Sequence, residues 1–331
     1  MVWGVPPELR ERRLSAMAVH LHDTGSLVPA VVRALAGVGV GHGPLHAVTI
    51  PPSCNTFITD GEAVFVKVTT GPTDHEYLVA KHLVSDRFPT PEPLTPPTTV
   101  SLGPGREVCL LPYRFHRAHA TAVSAAETGH LAGLLWGARP PVSARGTHWH
   151  ALLSASTRNV DGVTCEETAG LLRGLLASTA DALTEYTRVR TPKSVFAHGD
   201  LHRRNTMRAE SGGAMLLDWE RAGVWWPEME CAKFVQTSLT EREHAAPDGS
   251  VFTERSSDVE AFLVASEEAL GRPLDLDLLD LCVRFRAAGA AAYQARWGVR
   301  EDRPDWFDAG VALARDGVAA AGSEPGQQVL A

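Results

Sequence analysis

Three residues in one stretch have types and separations suited to chemistry: Asp200, Asn205 and Asp218, within VFAHGDLHRRNTMRAESGGAMLLDWERAG at residues 195–223. Asp200 closes an apolar run, SVFAHGD, that reads as a buried strand, and Asn205 follows five residues later. A second apolar run, AMLLDWE, carries Asp218 at its end, thirteen residues beyond the asparagine. Two neighbouring strands so arranged deliver their polar groups to one spot. An aspartate that accepts a hydroxyl proton, an asparagine and a second carboxylate are the parts that metal-assisted phosphoryl transfer requires. Asn205 and Asp218 offer hard oxygen ligands suited to Mg²⁺, which keeps waters and bridges substrate phosphates. Asp200 orients the acceptor hydroxyl for in-line attack. Upstream, Lys67 in VFVKV and Glu76 on the following segment match a strand lysine that holds nucleotide phosphates and a helix acid that fixes it.

The run HGDLH also admits a metal site, because His198, Asp200 and His202 alternate along an extended chain and share one face. That reading leaves Asn205, Asp218 and Lys67 without a purpose. In the phosphoryl-transfer reading His198 braces the turn.

The elements that must position these residues follow from periodicity. LVPAVVRALAGVG spaces Leu27, Val31, Val32, Leu35 and Val38 as one helical face ended by glycine. Two apolar runs within residues 45–68 flank Asp60-Gly61, a dipeptide suited to a tight hairpin. Thr73 and Glu76 form a capping box for a short helix, and two further strands surround a Gly-Pro-Gly turn at residues 103–105. From about residue 116 the pattern changes to leucines at three- and four-residue spacing, with Leu172, Leu175, Leu176 and Leu183 as one stripe. DLLDLCVRFRAAGAAAYQARWG reads as another long helix, and EREHAAPDGSVFTERSSD, residues 241–258, as an exposed polar loop.

Composition bounds the class. With 331 residues and 44% hydrophobic content the chain can bury a core as one large domain or two smaller ones. No stretch approaches the roughly 20 apolar residues of a membrane span. The first residues are broken by Glu8, Arg10, Glu11, Arg12 and Arg13, unlike a signal peptide. Five cysteines without a CxxC pair argue against a disulfide framework and a structural zinc site, so a reducing cytoplasm is the expected location. The net charge of −8 is uneven: residues 223–331 hold 19 acidic against 10 basic side chains, a balance of −9. Such a field disfavours nucleic acid and anionic membrane, and it either attracts a cationic small molecule or is a solvated surface that keeps the protein soluble.

These motifs together resemble the aminoglycoside phosphotransferase and choline kinase branch of the protein-kinase-like fold. HGDLHRRN stands for the family's HGDxxxxN loop, LLDWE for its IDWE-type metal strand, and TGHLAGLLWGA echoes its LGxxLAxLH helix. PEMECAKF stands where the family writes a proline, an acidic pair and DLA, with Glu230 in place of the usual aspartate and no role assigned to it. The resemblance implies an α+β bilobal fold: an N-terminal antiparallel sheet lobe with a helix, residues 1–115, binding nucleotide, and a larger, mainly helical lobe, residues 116–331, for catalysis and acceptor binding. It implies ATP or GTP as donor, Mg²⁺ as cofactor, and Asp200 as base. Ser53 and Asn55, in a turn PPSCNTF that lacks the glycines common in the family, and Pro112 and Tyr113 become nucleotide contacts beside Lys67 and Glu76. The implied acceptor is a small hydroxylated molecule, aminated and of antibiotic type; the alternatives are a metabolic acceptor such as choline, an amino sugar or homoserine, and a catalytically dead nucleotide binder. Glu228, Glu267, Glu268, Asp277, Asp280, Asp302 and Asp305 are the candidates for holding amines, and Tyr293, Trp297, Trp225, Trp226 and Trp306 for stacking on a ring or cation.

Overall fold

The computed structural model describes residues 24–49, 56–105, 107–141, 145–146, 149–240, 250–298 and 304–317. Ser53, Cys54, Asn55 and Asp302 lie outside them. The chain divides into two compact units: one runs through Ala122 and takes in Met207–Glu220, the other comprises Val123–Thr206 and the residues from Arg221 onward.

In the first unit, helix α1 (Thr24–Gly37) precedes strands β1 (His46–Thr49), β2 (Thr56–Thr59) and β3 (Val64–Thr69), helix α2 (Asp74–Ser85), and strands β4 (Thr98–Ser101) and β5 (Glu107–Arg114). The strands form one antiparallel sheet in the order β1-β2-β3-β5-β4. Val64, Val66 and Val68 alternate along β3 and cluster with Leu27, Val31 and Leu35 of α1 and with Val108 and Leu110 of β5. Strand period therefore turns Phe65 and Lys67 to the opposite face. Register sets Phe65 against Tyr113 and Lys67 against Leu111, so Tyr113 shares the lysine's face while Pro112, opposite Val66, does not.

Several local expectations change here. Val32 leaves the apolar face of α1, Val38 lies beyond its last residue, and both are exposed. The β2–β3 turn spans residues 60–63 rather than two, and although Gly61 takes φ +76°, Asp60 does not take a positive φ. Instead Asp60 Oδ1 accepts from the N–H groups of Glu62, Ala63 and Val64 at 2.8–3.0 Å, and Oδ2 from Gly43. The capping box at α2 is absent: Thr73 makes no side-chain cap, its Oγ1 lies 3.1 Å from Cys109 Sγ, and Glu76 is drawn inward by Lys67.

The second unit begins with α3 (Ala125–Gly137), whose Ser124–Glu127 capping box is complete. It continues through β6 (Arg145–Gly146), α4 (Trp149–Asp161), α5 (Glu166–Val189), β7 (Val195–Ala197) and a 3₁₀ turn at Arg203–Asn205. Strands β8 (Thr206–Arg208) and β9 (Ala214–Leu216) and a 3₁₀ turn at Trp219–Arg221 precede β10 (Gly223–Trp225). Helices α6 (Pro227–Thr240), α7 (Ser250–Leu270), α8 (Leu276–Trp297) and α9 (Pro304–Asp316) complete the described chain. Leu172, Leu176 and Leu183 of α5 are buried, as their stripe predicts, while Leu175 at its edge is half-buried. The polar stretch expected as loop at 241–258 is helical from Ser250; no glycine or proline interrupts Ser250–Leu270, and buried Val259, Phe262 and Ser266 give that helix a packed face. Residues 241–249 lie outside the described set.

The strands that carry Asp200 and Asp218 are not neighbours. β7 pairs with β10, whereas β9 pairs with β8. The cause is local, because Gly212 N–H donates to the Ala209 carbonyl and Ala209 N–H to the Gly213 carbonyl, closing a turn that folds β9 back on the strand just before it. Among the described residues no helix is long and apolar enough to cross a membrane.

Candidate active site

The first unit gathers its charges at Lys67. On the face of β3 away from α1, Lys67 Nζ donates to Glu76 Oε2 at 2.7 Å and to Asp218 Oδ1 at 2.6 Å, and lies 3.6 Å from Glu220 Oε2. Tyr113 Oη donates to the other Glu76 oxygen at 2.8 Å. Lys67 and Glu76 are almost wholly buried. Burial alone would lower the lysine's pKa, but the charges and hydrogen bonds of Glu76 and Asp218 outweigh it and hold the ammonium above its ordinary value. Glu76 is pushed up by burial, since it shares its one ammonium with Asp218.

Asp218 reaches this cluster from a left-handed backbone, φ +65°, which aspartate tolerates better than most residues. The residues on either side explain how it is held. Leu216 N–H donates to the Pro89 carbonyl, Trp219 Nε1 to Thr90 Oγ1 at 2.7 Å, and the Trp219 indole meets Phe88 edge-on. The buried tryptophan of LLDWE is thus an anchor that sets the carboxylates on both sides of it.

Glu76, Asp218 and Glu220 can each offer one oxygen within 4.8 Å of the others, the one group of three metal-type ligands among the described residues. Three carboxylates around one ammonium leave a negative surplus and an all-oxygen donor set, which fits a hard divalent cation such as Mg²⁺. His198, Asp200 and His202 form no such group. Both imidazoles spend Nδ1 on backbone, His198 on Asp200 N–H and His202 on Arg204 N–H.

In the second unit β7 leads into His198-Gly199-Asp200. Gly199 takes φ +81°, and a Cβ there would stand 2.0 Å from the Arg221 carbonyl oxygen, so only glycine passes. Its N–H donates to Glu230 Oε2 at 2.7 Å, and its carbonyl accepts from Arg286 Nη2 at 3.4 Å. Asn205 sits in the 3₁₀ turn and donates its side-chain N–H to the Asp200 carbonyl at 2.9 Å, which leaves its amide oxygen as the group to offer a cation. His202 lies 4.0 Å from the Asp200 carboxylate, and burial, helped by nearby cations, pulls its pKa down to about 4, so it is neutral.

Asp200 is the focus of this arrangement. Lys233 Nζ stands 3.3 Å from Oδ1, a buried oxygen with no hydrogen-bond donor among the described residues. Burial pushes the carboxyl up, yet Lys233, Arg221, His202 and Arg286 outweigh it and hold Asp200 well below the usual range. An ionised carboxylate can orient a hydroxyl and take its proton late, as a loose phosphoryl transition state asks.

The other sequence candidates are dispersed. Pro112 is on the far face of the sheet and its carbonyl accepts from Leu94 N–H. Glu228 is buried, accepting from Asp275 N–H, and Glu267 closes the α7–α8 loop by accepting from Leu274 N–H. Glu268 and Asp277 are exposed, and Asp280 lies 4.0 Å from Arg284 on its own helix. Tyr293 and Trp297 are exposed with ring centroids 6.3 Å apart, while Trp225 is buried beneath Arg286. Sequence reasoning missed Glu220, Glu230, Lys233 and Arg286. Glu220 stands in LLDWE and both Glu230 and Lys233 in PEMECAKF, whereas Arg286 carries no signal of type or spacing.

The family described as the phosphotransferase enzyme family matches residues 59–262, and the chain belongs to it. Its fold is the protein-kinase-like fold of aminoglycoside phosphotransferases and choline kinases. Among solved structures it is similar to the amicoumacin kinase hAmiN in complex with AMP-PNP, Ca²⁺ and Ami, at 13% identity and TM-score 0.61, over 94% of this chain and 96% of that one. It is also similar to the aminoglycoside phosphotransferase APH(3'')-Id from Streptomyces rimosus, at 17% identity and TM-score 0.54, over 78% and 97%. The choline kinase LicA from Streptococcus pneumoniae aligns at 14% identity and TM-score 0.53, over 89% and 98%. No curated protein sequence matches the chain.

Proposed function

We propose that this protein transfers the γ-phosphoryl group of ATP or GTP to a hydroxyl of a small aminated molecule, an antibiotic in a resistance or self-protection role. The observation that carries the reading is Asp200: a carboxylate fixed through Gly199 by Glu230 and Arg286 and kept ionised by Lys233, 3.3 Å from its Oδ1. The acceptor oxygen bonds to the γ-phosphorus, the bond to the β,γ-bridging oxygen breaks with its electron pair leaving on the nucleoside diphosphate, and the hydroxyl proton passes to Asp200. Lys67, fixed by Glu76, holds the nucleotide phosphates. Asp218 and Asn205, with Glu220, would hold Mg²⁺, which when bound offsets phosphate charge.

The acidic balance of residues 223–331 and the exposed Glu268 and Asp277 favour an amine on the acceptor. Likeness to a choline kinase at nearly the same TM-score as to an aminoglycoside phosphotransferase supports a metabolic amino alcohol or amino sugar as the second reading. The deciding assay incubates the full chain with Mg²⁺ and ATP against a panel of aminated antibiotics, amino sugars and choline-like compounds, and maps the phosphorylated position. Asp200→Asn is expected to lower turnover by about 10²- to 10⁴-fold with nucleotide affinity nearly unchanged. A variant keeping half the wild-type rate, where chemistry limits, would remove Asp200 from the role given to it.

A further inference from the structure

Helix α6 is a core element. From Pro227 to Thr237 every residue is buried except Lys233, and that residue opens at the catalytic loop. Lysine is almost never taken into such a setting without a partner. Here the partner is Asp200, with Nζ 3.3 Å from Oδ1 and both side chains 22% exposed, so the pair is open at its edge. Nor is the pair closed by a hydrogen bond, because Oδ1 has no donor among the described residues. Three residues earlier on the same helix face, Glu230 accepts from Gly199 N–H and fixes the loop that carries Asp200. One turn of α6 therefore sets both the catalytic carboxylate and an ammonium beside it.

We propose that Lys233 is a further catalytic residue, whose ammonium meets the non-bridging oxygens of the phosphoryl group while that group moves to the acceptor. The inference rests on the phosphotransferase reading above. Its geometry is that of short links. A hydroxyl held by a carboxylate lies about 2.5–2.7 Å from it, and a reacting phosphorus about 3–3.5 Å further on. The phosphoryl group thus passes within about 6 Å of Asp200 by the same reckoning. An ammonium already 3.3 Å from that carboxylate, on a flexible four-carbon stem, reaches the phosphoryl oxygens by a change of side-chain torsion alone. Charge favours the move, since the arriving group is anionic and Asp200 gains a proton as the transfer completes. Arg286 then remains beneath the loop, where its Nη2 holds the Gly199 carbonyl.

The test needs no knowledge of the acceptor, because water can take its place. The slow hydrolysis of Mg-ATP and Mg-ATPγS by the full chain gives a rate ratio, the thio effect, that responds to groups touching the γ-phosphoryl oxygens. Lys233→Met is expected to lower the hydrolytic kcat by about 10²- to 10³-fold, as loss of one preorganised charge-stabilising group does. The dissociation constant for Mg-ATP should stay within about twofold, because the proposed contact strengthens in the transition state and not on binding. The thio effect should shrink several-fold, with Lys233→Arg restoring part of both rate and ratio. A lower rate with an unchanged thio effect would show that Lys233 merely neutralises Asp200, and an unchanged rate would remove it from the reaction; either overturns the proposal. If Lys233→Met does not fold, Lys233→Arg decides, since a displaced charge must alter the thio effect if it contacts phosphorus-bound oxygen. A wild-type chain that binds Mg-ATP but hydrolyses it no faster than Asp200→Asn does, and phosphorylates nothing in the panel, fails the phosphotransferase reading itself, an outcome distinct from wild-type activity with an indifferent Lys233.

Discussion

Glu230 shows what a single residue's reach can decide. Its Oε2 accepts from Gly199 N–H at 2.7 Å from a fully buried position, so it sets the height of the turn on which Asp200 stands. Removing the carboxylate in Glu230→Ala leaves a buried donor unsatisfied, which costs about 1–3 kcal/mol. It also frees the loop, and a misplacement near 1 Å costs about 10²-fold in rate. We expect urea unfolding to register the first loss and turnover at saturating nucleotide the second, with nucleotide affinity unmoved. Glu230→Asp, one methylene short of Gly199, should move both in the same direction by less. Normal turnover in Glu230→Ala would leave the brace without a catalytic purpose. The sequence made Asp200, Asn205, Asp218 and Lys67 legible because their types and separations suffice to name a chemistry. Glu230, Lys233 and Arg286 were not legible in that way. Their roles depend on which backbone atom or charge lies opposite them, and for Gly199 that is fixed by residues 31 and 87 positions away.

At the scale of elements, periodicity located the helices with a clear apolar stripe, read the start of Ser250–Leu270 as loop, and placed the strand neighbours poorly. The leucine stripe of α5 and the apolar spacing of α1 each report one packed face, which a single segment encodes in full. Pairing is a relation between segments, and the two short apolar runs before Asp200 and Asp218 carry no mark of their partners; β9 returns to β8 through a turn at residues 209–213 that holds two glycines. The capping box at Thr73 failed because Glu76 had a stronger claim in Lys67. Helix α3 supplies a test of packing read from its sequence TGHLAGLLWG. A Cβ on Gly129 would stand 2.1 Å from the Phe262 carbonyl oxygen of α7, and one on Gly133 2.5 Å from Ala269 Cβ. Alanine at an ordinary helix site is favoured over glycine by about 1 kcal/mol. Here the overlap reverses the sign, and Gly129→Ala is expected to destabilise by about 1–3 kcal/mol, as overpacking does. The midpoint of urea denaturation reads the outcome, and a variant as stable as wild type or more so would show that α3 and α7 separate without cost.

For the whole molecule the sequence places one division, at residues 115 and 116, and the structure places Met207–Glu220 with the first unit although the chain reaches them from the second. No change of composition marks that return. Charge is the property that belongs to the molecule as a whole, and the structure sorts the −9 balance of residues 223–331 into spent and available parts. Glu228 and Glu230 are buried, Glu267 and Asp275 accept from backbone N–H groups, and Asp258 pairs with Arg203. Among the described residues Glu260, Glu268, Asp277, Asp308 and Asp316 remain exposed. An exposed charge interacts with a ligand by about 0–1 kcal/mol and is largely screened beyond about 10 Å at 0.1 M salt. The double change Glu268→Gln with Asp277→Asn is therefore expected to raise the Michaelis constant of an aminated acceptor by no more than several-fold, and added salt should have an effect of the same size on the wild type. Nucleotide affinity, measured alongside, should not follow the double change. Glu228→Gln should behave in the opposite manner: the buried carboxylate holds Asp275 N–H and lies 4.0 Å from Arg272, so its loss lowers the urea midpoint and leaves the acceptor constant alone. A neutral acceptor turned over efficiently, with no salt dependence beyond that of the nucleotide, would show the acidic third to be a solvating surface and would shift the acceptor from an aminated antibiotic towards an uncharged sugar or alcohol.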